Sequence, residues 1–390
     1  MKVVIDTLGG DYAPYEIIKG AIDAQNKHDE LSIIFCGKED EISSCLGKLK
    51  YDKERTEIVD APDMISNNEV PTVAIKEKKN SSLAVAFDIL KKNDDVVGLV
   101  SAGSTGAILA GGFLKIGRIK GVSRPTLCPF LPTKKGGYVL IADCGANVDC
   151  KPINLCHFAL MANEYYKERF GKQNPRVALL SVGTEDHKGN DLCHQVFPLM
   201  KQLDINFVGN MEARDVMSGD YDVVIADGFA GNVLLKSTEG ALKIMMSELK
   251  KSIKSNFFSK MASVFMLGAF KNLKKTYDFN SYGGSPFLGC KKLIIKSHGS
   301  SKAKAIEVSI DEIITLKNKN LNYRIEKAIE NAKINIEEWT ILFILFYFLS
   351  TLKMGFCLQC IFFYAKIKQQ KSRAYFLCLA KIFKGPKNEF

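Results

Sequence analysis

Three short stretches of this chain set glycines beside side chains that can hold an anion: "SAGSTG" at residues 101–106, "GTEDHKGN" at 183–190 and "DGFAGN" at 227–232. Small residues such as Gly103, Ser104, Thr105 and Gly106 let backbone N–H groups come close to an anion, and the two hydroxyls add donors. The second stretch carries Thr184, Glu185, His187, Lys188 and Asn190 around Gly183 and Gly189, and the third carries Asp227 and Asn232 around Gly228 and Gly231. Phosphate is the anion that such turns suit, above all where a helix begins directly behind them. One glycine turn behind a strand is as readily a plain tight turn. Three in one chain shift the balance towards a composite anion site.

The elements that must position these turns repeat along the chain. A short β-branched run, a glycine-containing turn and a helical pattern follow one another in "KVVIDTLGGDYAPYEIIKGAIDA", "LSIIFCGKEDEISSCLGKL", "DDVVGLVSAGSTGAILAGGFLK", "RVALLSVGTEDHKGNDLCHQVFPLMKQL" and "YDVVIADGFAGNVLLKSTEGALKIMM". Strands alternating with helices predict an α/β fold, a Rossmann-like and mostly parallel sheet with helices on both faces. Ligands of such sheets sit beyond the carboxyl ends of the strands, so the turns are expected to converge there. A chain of 390 residues fits one large domain of this kind or two coupled lobes.

Composition removes several function classes. With 46% hydrophobic and 25% charged residues the chain reads as an ordinary soluble enzyme. The net charge of +11 suits an acidic partner. It forms no basic stripe interleaved with aromatics, so no nucleic acid is expected. "MKVVIDTLGG" begins a strand rather than a signal peptide, and the 11 cysteines are scattered, which favours reduced buried thiols. Cys144, Cys150 and Cys156, and the pair Cys357 and Cys360, lack partners at zinc spacing, and 5 histidines group with no carboxylates. No metal or cofactor is therefore expected. The chain also lacks GxxxxGK[ST], GxGxxG, GxSxG and HExxH, which takes away the anchors of kinase, nicotinamide and serine-hydrolase readings.

"IDTLGGDYAP", "LVSAGSTGA", "IADCGANVDCKP", "VGTEDHKGN", "ADGFAGNVLLKSTEG" and "SYGGSPFLG" follow one another in this order. In that order and spacing the chain resembles the bacterial phosphate acyltransferases of phospholipid synthesis from residue 1 to about 333. The resemblance implies a homodimer with a fold like that of isocitrate dehydrogenases and phosphotransacetylases. It also implies a reaction, in which acyl-acyl carrier protein and inorganic phosphate give acyl phosphate and free carrier. Ser104 stands where the family usually has Asn, and Cys144 where it has a small aliphatic residue. A phosphotransacetylase acting on acyl-CoA, and a non-catalytic scaffold of lipid synthesis, remain as alternatives.

Attack of phosphate on a thioester requires an anionic nucleophile and a growing oxyanion to be managed together. Lys188, with His187 and Asn190 beside it, can do either job, while Asn232 and the turn from Gly228 to Gly231 bind the other end. Asp143 and Asn147 of "IADCGANVDCKP", and Asp227, follow apolar strands and are further candidates, although an Asp there is as often a cap. Between Lys250 and Lys275, residues Phe257, Phe258, Met261 and Phe265 recur at helical spacing with lysines at both ends. That pattern fits an interfacial helix as well as a buried hairpin at a subunit interface. The resemblance favours an exposed tip touching the bilayer or the membrane glycerol-3-phosphate acyltransferase that uses the product, hence a cytoplasmic protein peripherally bound to the inner face of the membrane. Residues 334–390 fit neither motif nor period. They read as a membrane-associated extension, a basic tail without a fold or a frameshift product, and richness in Phe, Lys and Ile favours the last.

Overall fold

Val3, Val4, Ile5, Ile33, Ile34 and Phe35 are all buried although successive side chains of a strand point to opposite faces. Strands so apolar on both faces need helices on both. The computed structural model describes residues 1–66, 68–253 and 283–332, with 268, 273 and 276, and Met1–Lys333 form one compact unit. Phe257, Phe258, Met261, Phe265 and the segment 334–390 lie outside the described residues.

The chain starts with β1 (Lys2–Asp6), α1 (Tyr15–Lys27), β2 (Ser32–Gly37), α2 (Glu39–Leu46) and β3 (Thr56–Asp60), then α3 (Pro71–Glu77), α4 (Ser82–Lys92), β4 (Val96–Ser101) and α5 (Thr105–Gly111). Two very short strands, β5 (Thr126–Leu127) and β6 (Phe130–Pro132), carry it from one sheet to the other. Next come β7 (Tyr138–Ala142), α6 (Pro152–Phe170), β8 (Val177–Ser181), α7 (Asp191–Met200), β9 (Phe207–Glu212), β10 (Val223–Ile225) and the long α8 (Gly228–Ile253). The chain then returns through β11 (Ser285–Leu288) and β12 (Leu293–Lys296) and closes with α9 (Ala303–Asn318) and α10 (Leu321–Asn331).

The parallel α/β architecture is thus divided between two sheets. One has 7 strands in the order β3-β2-β1-β4-β12-β11-β5 and the other 5 in the order β6-β7-β10-β8-β9. Pairing is parallel except where β11 and β6 run against their neighbours. On one face of the larger sheet Val4, Ile34, Leu99 and Ile294 share a core with Phe87 and Leu90 of α4 and Ile108 of α5. The opposite face carries α1 and α9, which pack on each other. In the smaller sheet Val139, Ile141, Ala178 and Val224 share a core with Leu234 and Leu235 of α8. Among the described residues no helix is long and apolar enough to cross a membrane.

Helix α6 is buried along most of its length because it packs against β7 and β10 of the smaller sheet and also against α9 and α10. A buried polar link in that contact is Glu312 of α9, which is 2% exposed. Its Oε1 accepts the hydroxyl proton of Tyr165, and the Arg169 Nε stands 3.9 Å from Oε2. Burial raises the Glu312 carboxyl from 4.5 to about 7, with Arg169 and Tyr165 only partly opposing the rise. Between those values the folded chain holds a proton that the unfolded chain has released. The stabilising contribution of this group therefore falls as pH climbs from the unfolded value, and the cost above pH 7 is on the order of 3 kcal/mol. Glu312→Gln keeps an acceptor for Tyr165 and should melt higher than the natural chain at pH 8 and about equally at pH 5. A lower Tm at pH 8 in calorimetry would refute this account.

Candidate active site

The turn after β4 is built from beneath. Asp6, at the end of β1 and 2% exposed, accepts hydrogen bonds from the Ser82 hydroxyl on Oδ1 at 2.5 Å and from the Ser101 hydroxyl on Oδ2 at 2.6 Å. The Ser101 Oγ in turn accepts the backbone N–H of Gly103 at 3.0 Å. Burial raises the Asp6 carboxyl, and the two serine hydrogen bonds oppose it. Glycine is required where the turns after β1 and β4 touch, because a Cβ on Gly9 would stand 2.5 Å from the Gly103 nitrogen. The effect is to hold Gly103, Ser104, Thr105 and Gly106 in one conformation, all only partly exposed.

Thr105 opens onto a cleft of about 280 Å³ between the carboxyl ends of the two sheets. From the larger sheet the cleft receives Lys296 and His298 behind β12, with Gly283, Gly284 and Ser285 leading into β11. From the smaller sheet it receives Cys144 and Gly145 behind β7, and Asn232, Lys236 and Glu239 of α8. Asn232, Lys236 and Glu239 share one helix face by their spacing of four and three residues. Lys236 pairs with the Glu239 Oε2 at 2.9 Å. Lys296 donates to the Ser297 carbonyl, and its ammonium is pushed down to about 8 by burial first and by the charge of Lys236 second, against the pull of Asp11 and Asp6. The His298 Nδ1 accepts the Ser300 N–H at 3.2 Å, so the neutral ring carries its proton on Nε2 and can donate it. Loss of water around His298 lowers its pKa, and Glu239 opposes that. Two lysines, a histidine, a threonine hydroxyl and an amide around one small cleft suit a multiply charged oxyanion.

A second depression of about 660 Å³ lies on the other side of α8. Leu155, Leu179, Leu180, Val182, Phe229, Val233 and Leu234 make it largely apolar, and Ser181, Asn190 and Asp227 are polar groups on its wall. Size and lining are those of a small-molecule site. The turn 183–190 forms part of its rim through Gly189 and Asn190. Buried Asn210 of β9 pins that turn by donating to the carbonyls of Glu185 at 2.8 Å and Lys188 at 3.5 Å. The Lys188 N–H returns to the Glu185 carbonyl at 3.0 Å, and the carbonyl of His187 accepts from the His194 Nε2. Side chains of Thr184, Glu185, His187 and Lys188 are exposed. Asn190 caps α7 by accepting the Cys193 N–H at 2.9 Å.

The turn residues are thus shared between two depressions. Thr105 and Asn232 meet in the cleft, while Gly189, Asn190 and Asp227 border the groove, with the first turns of α8 between. Asp227 also accepts the Ala230 N–H at 2.8 Å at the start of α8. Asp143 is wholly buried and fully bonded. Its oxygens accept from the Thr126 hydroxyl and Leu127 N–H, and from the backbone and side-chain amides of Asn147. The Asn147 amide also reaches the Pro125 carbonyl at 2.8 Å. These two residues fasten the crossover between the sheets. Gly231 lets α8 lie against that loop, because a Cβ there would be 1.9 Å from the Asp143 carbonyl oxygen, and Gly228 donates to the Asn147 carbonyl at 2.7 Å.

A family model described as fatty acid synthesis protein matches residues 1–324. A phosphate acyltransferase of Clostridium novyi is 43% identical over 334 residues, covering 86% of this chain and 100% of the relative. One from Thermoanaerobacterium thermosaccharolyticum is 44% identical, covering 85% and 97%. Among solved structures, a phosphotransacetylase from Streptococcus pyogenes superposes with a TM-score of 0.52 at 17% identity, over 85% of this chain and 94% of its own, a likeness of fold.

Proposed function

We propose, from the premise that this chain belongs to the phosphate acyltransferase family, that it makes acyl phosphate from inorganic phosphate and a long-chain acyl group carried as the thioester of acyl carrier protein. The observation that carries this reading is the cleft that gathers Lys236, Lys296 and His298, separated only by the first turns of α8 from a mostly apolar groove. Phosphate occupies the cleft, held by the two ammonium groups, the His298 Nε2–H, the Thr105 hydroxyl and the Asn232 amide. The acyl chain occupies the groove, so that the thioester carbonyl comes to the start of α8. A phosphate oxygen attacks the carbonyl carbon, the oxyanion of the tetrahedral intermediate is met by Lys188 at the groove rim, and the C–S bond breaks. The proton of hydrogen phosphate ends on the departing carrier thiol, which balances the exchange. No acyl-enzyme is needed, since the nucleophile is the bound phosphate.

The active form in this reading is a homodimer. Beyond the groove, Ile244 and Met245 of α8 are 68% and 54% exposed, and large apolar side chains so placed are better covered than left in water. The product is a reactive mixed anhydride whose acyl group passes to glycerol 3-phosphate at the membrane for phosphatidic acid synthesis. That step places the protein in the cytoplasm at the inner membrane face. The direct test incubates the purified chain with phosphate and palmitoyl-acyl carrier protein, traps product with hydroxylamine, and repeats the assay with palmitoyl-CoA. Phosphate-dependent hydroxamate from the carrier thioester is expected. Product from the CoA thioester alone would favour a phosphotransacetylase, and product from neither would end the enzymatic reading.

A further inference from the structure

Helix α8 does more than wall the cleft. Lys236, Lys243 and Lys250 follow one another at intervals of seven residues. Seven residues are close to two turns, so the three side chains lie on one face in a line about 21 Å long at 1.5 Å per residue. Asn232 extends that line inward, and Lys236 ends it inside the cleft. Lys243 is close enough for its charge to act on His298, which puts it on the cleft side of the helix. Lys243 and Lys250 are exposed. Among the described residues neither pairs with an acid, whereas Lys236 is bound to Glu239 and Lys251 stands 3.8 Å from Glu248. Glu239, the acid on this face, is 8% exposed.

We infer that Lys243 and Lys250 form a basic track that seats an acidic carrier protein and leads its acyl-bearing arm past Lys236 and through the cleft, so that the thioester reaches the start of α8. The inference rests on the reading above that the acyl group arrives on a carrier. Unneutralised charges in a row raise the rate of encounter with an oppositely charged protein and fix its direction of approach. Anionic lipid would also be attracted, but the line of charge ends in a cleft of about 280 Å³ that a bilayer surface does not enter. A protein with a flexible acyl-bearing arm does.

The test is kinetic. Lys243→Glu with Lys250→Glu is compared with the natural full chain on two thioesters of the same acyl group, one on acyl carrier protein and one on pantetheine. The double variant should raise KM for the carrier substrate roughly 10- to 100-fold. It should leave kcat and the KM for the pantetheine thioester within about twofold, and flatten the salt dependence of the carrier reaction. Unchanged carrier KM, or an equal rise with both thioesters, overturns the track. So does loss of binding to phosphatidylglycerol vesicles while the carrier kinetics stay normal, which would assign the lysines to lipid. A natural chain that turns over the pantetheine thioester with no preference for the carrier form also overturns it. Absence of turnover with either thioester is a different failure, that of the underlying function, and direct titration of labelled carrier protein onto the chain then still decides the track.

Discussion

Replacing Lys296 by Met is expected to lower kcat/KM for phosphate by about 10²–10³, the scale seen when a charge-assisted contact strengthened in the transition state is removed. Lys296 is held mostly out of water at the end of β12, with Lys236 near enough to repel it. An ammonium so placed has little solvent to compete with an incoming anion, and phosphate between the two lysines relieves their repulsion. The same burial gives a pH signature. Because the ammonium titrates at about 8, the natural chain should lose phosphate affinity as pH rises through that value, even though phosphate itself becomes more highly charged. Lys296→Met should lack that descending limb. Stability runs the other way. The folded pKa lies below the unfolded value of 10.5, so the unfolded chain holds the proton more tightly and the group costs stability below pH 8, a cost relieved as pH rises from 8 towards 10.5. At pH 7 the Met variant should therefore melt no lower than the natural chain. Steady-state kinetics in phosphate across pH 6.5–9.5 checks the affinity and its limb, and calorimetry at pH 7 checks the stability. A variant with normal phosphate KM and the same descending limb would remove Lys296 from the site.

Lys296 shows where sequence patterning stops. The unit "KLIIKSHGSSKAKAIEVSI" repeats the strand, turn and helix of the five units that announce the fold, and its turn supplies the lysine and histidine of the cleft. Its strand is only 4 residues long, and the preceding β11 runs antiparallel to it. No glycine-rich anion signature marks the turn apart from the single Gly299. Lys236 was legible in principle, since it stands four residues after Asn232 and so on the same face of α8. The α/β class was legible because β-branched runs of five or six residues bounded by glycine recur along the chain. The division into two sheets was not. It depends on β5 and β6, of 2 and 3 residues, whose directions are set by tertiary bonds such as that of the Leu127 N–H to the Asp143 carboxylate. Asp143 itself illustrates the ambiguity of an acid at a strand end: only the four donors around it distinguish a buried fastening from an acid/base group.

Lys188→Ala is expected to lower kcat about 10²-fold while leaving KM for phosphate within twofold, the reverse of the pattern expected at Lys296. The reasoning begins with the loop. An exposed lysine on an unanchored loop would contribute little, but the buried Asn210 amide, the Glu185 carbonyl and the Asn190 cap fix the backbone on either side of Lys188. Among the described residues no acid pairs with it, so its charge is not already neutralised. If the acyl chain fills the apolar groove, its thioester end comes to the rim that this turn forms, and a fixed cation there meets the carbonyl oxygen only as negative charge grows on it. Removing the cation then costs transition-state stabilisation without loosening phosphate in the cleft across α8. The exposed side chain makes no contact that folding requires, so Tm should stay within about 1 °C. A raised phosphate KM at unchanged kcat would move Lys188 to the phosphate. Unchanged kcat and KM together would leave the turn as the cap of α7 and concentrate catalysis on Lys236, Lys296 and His298.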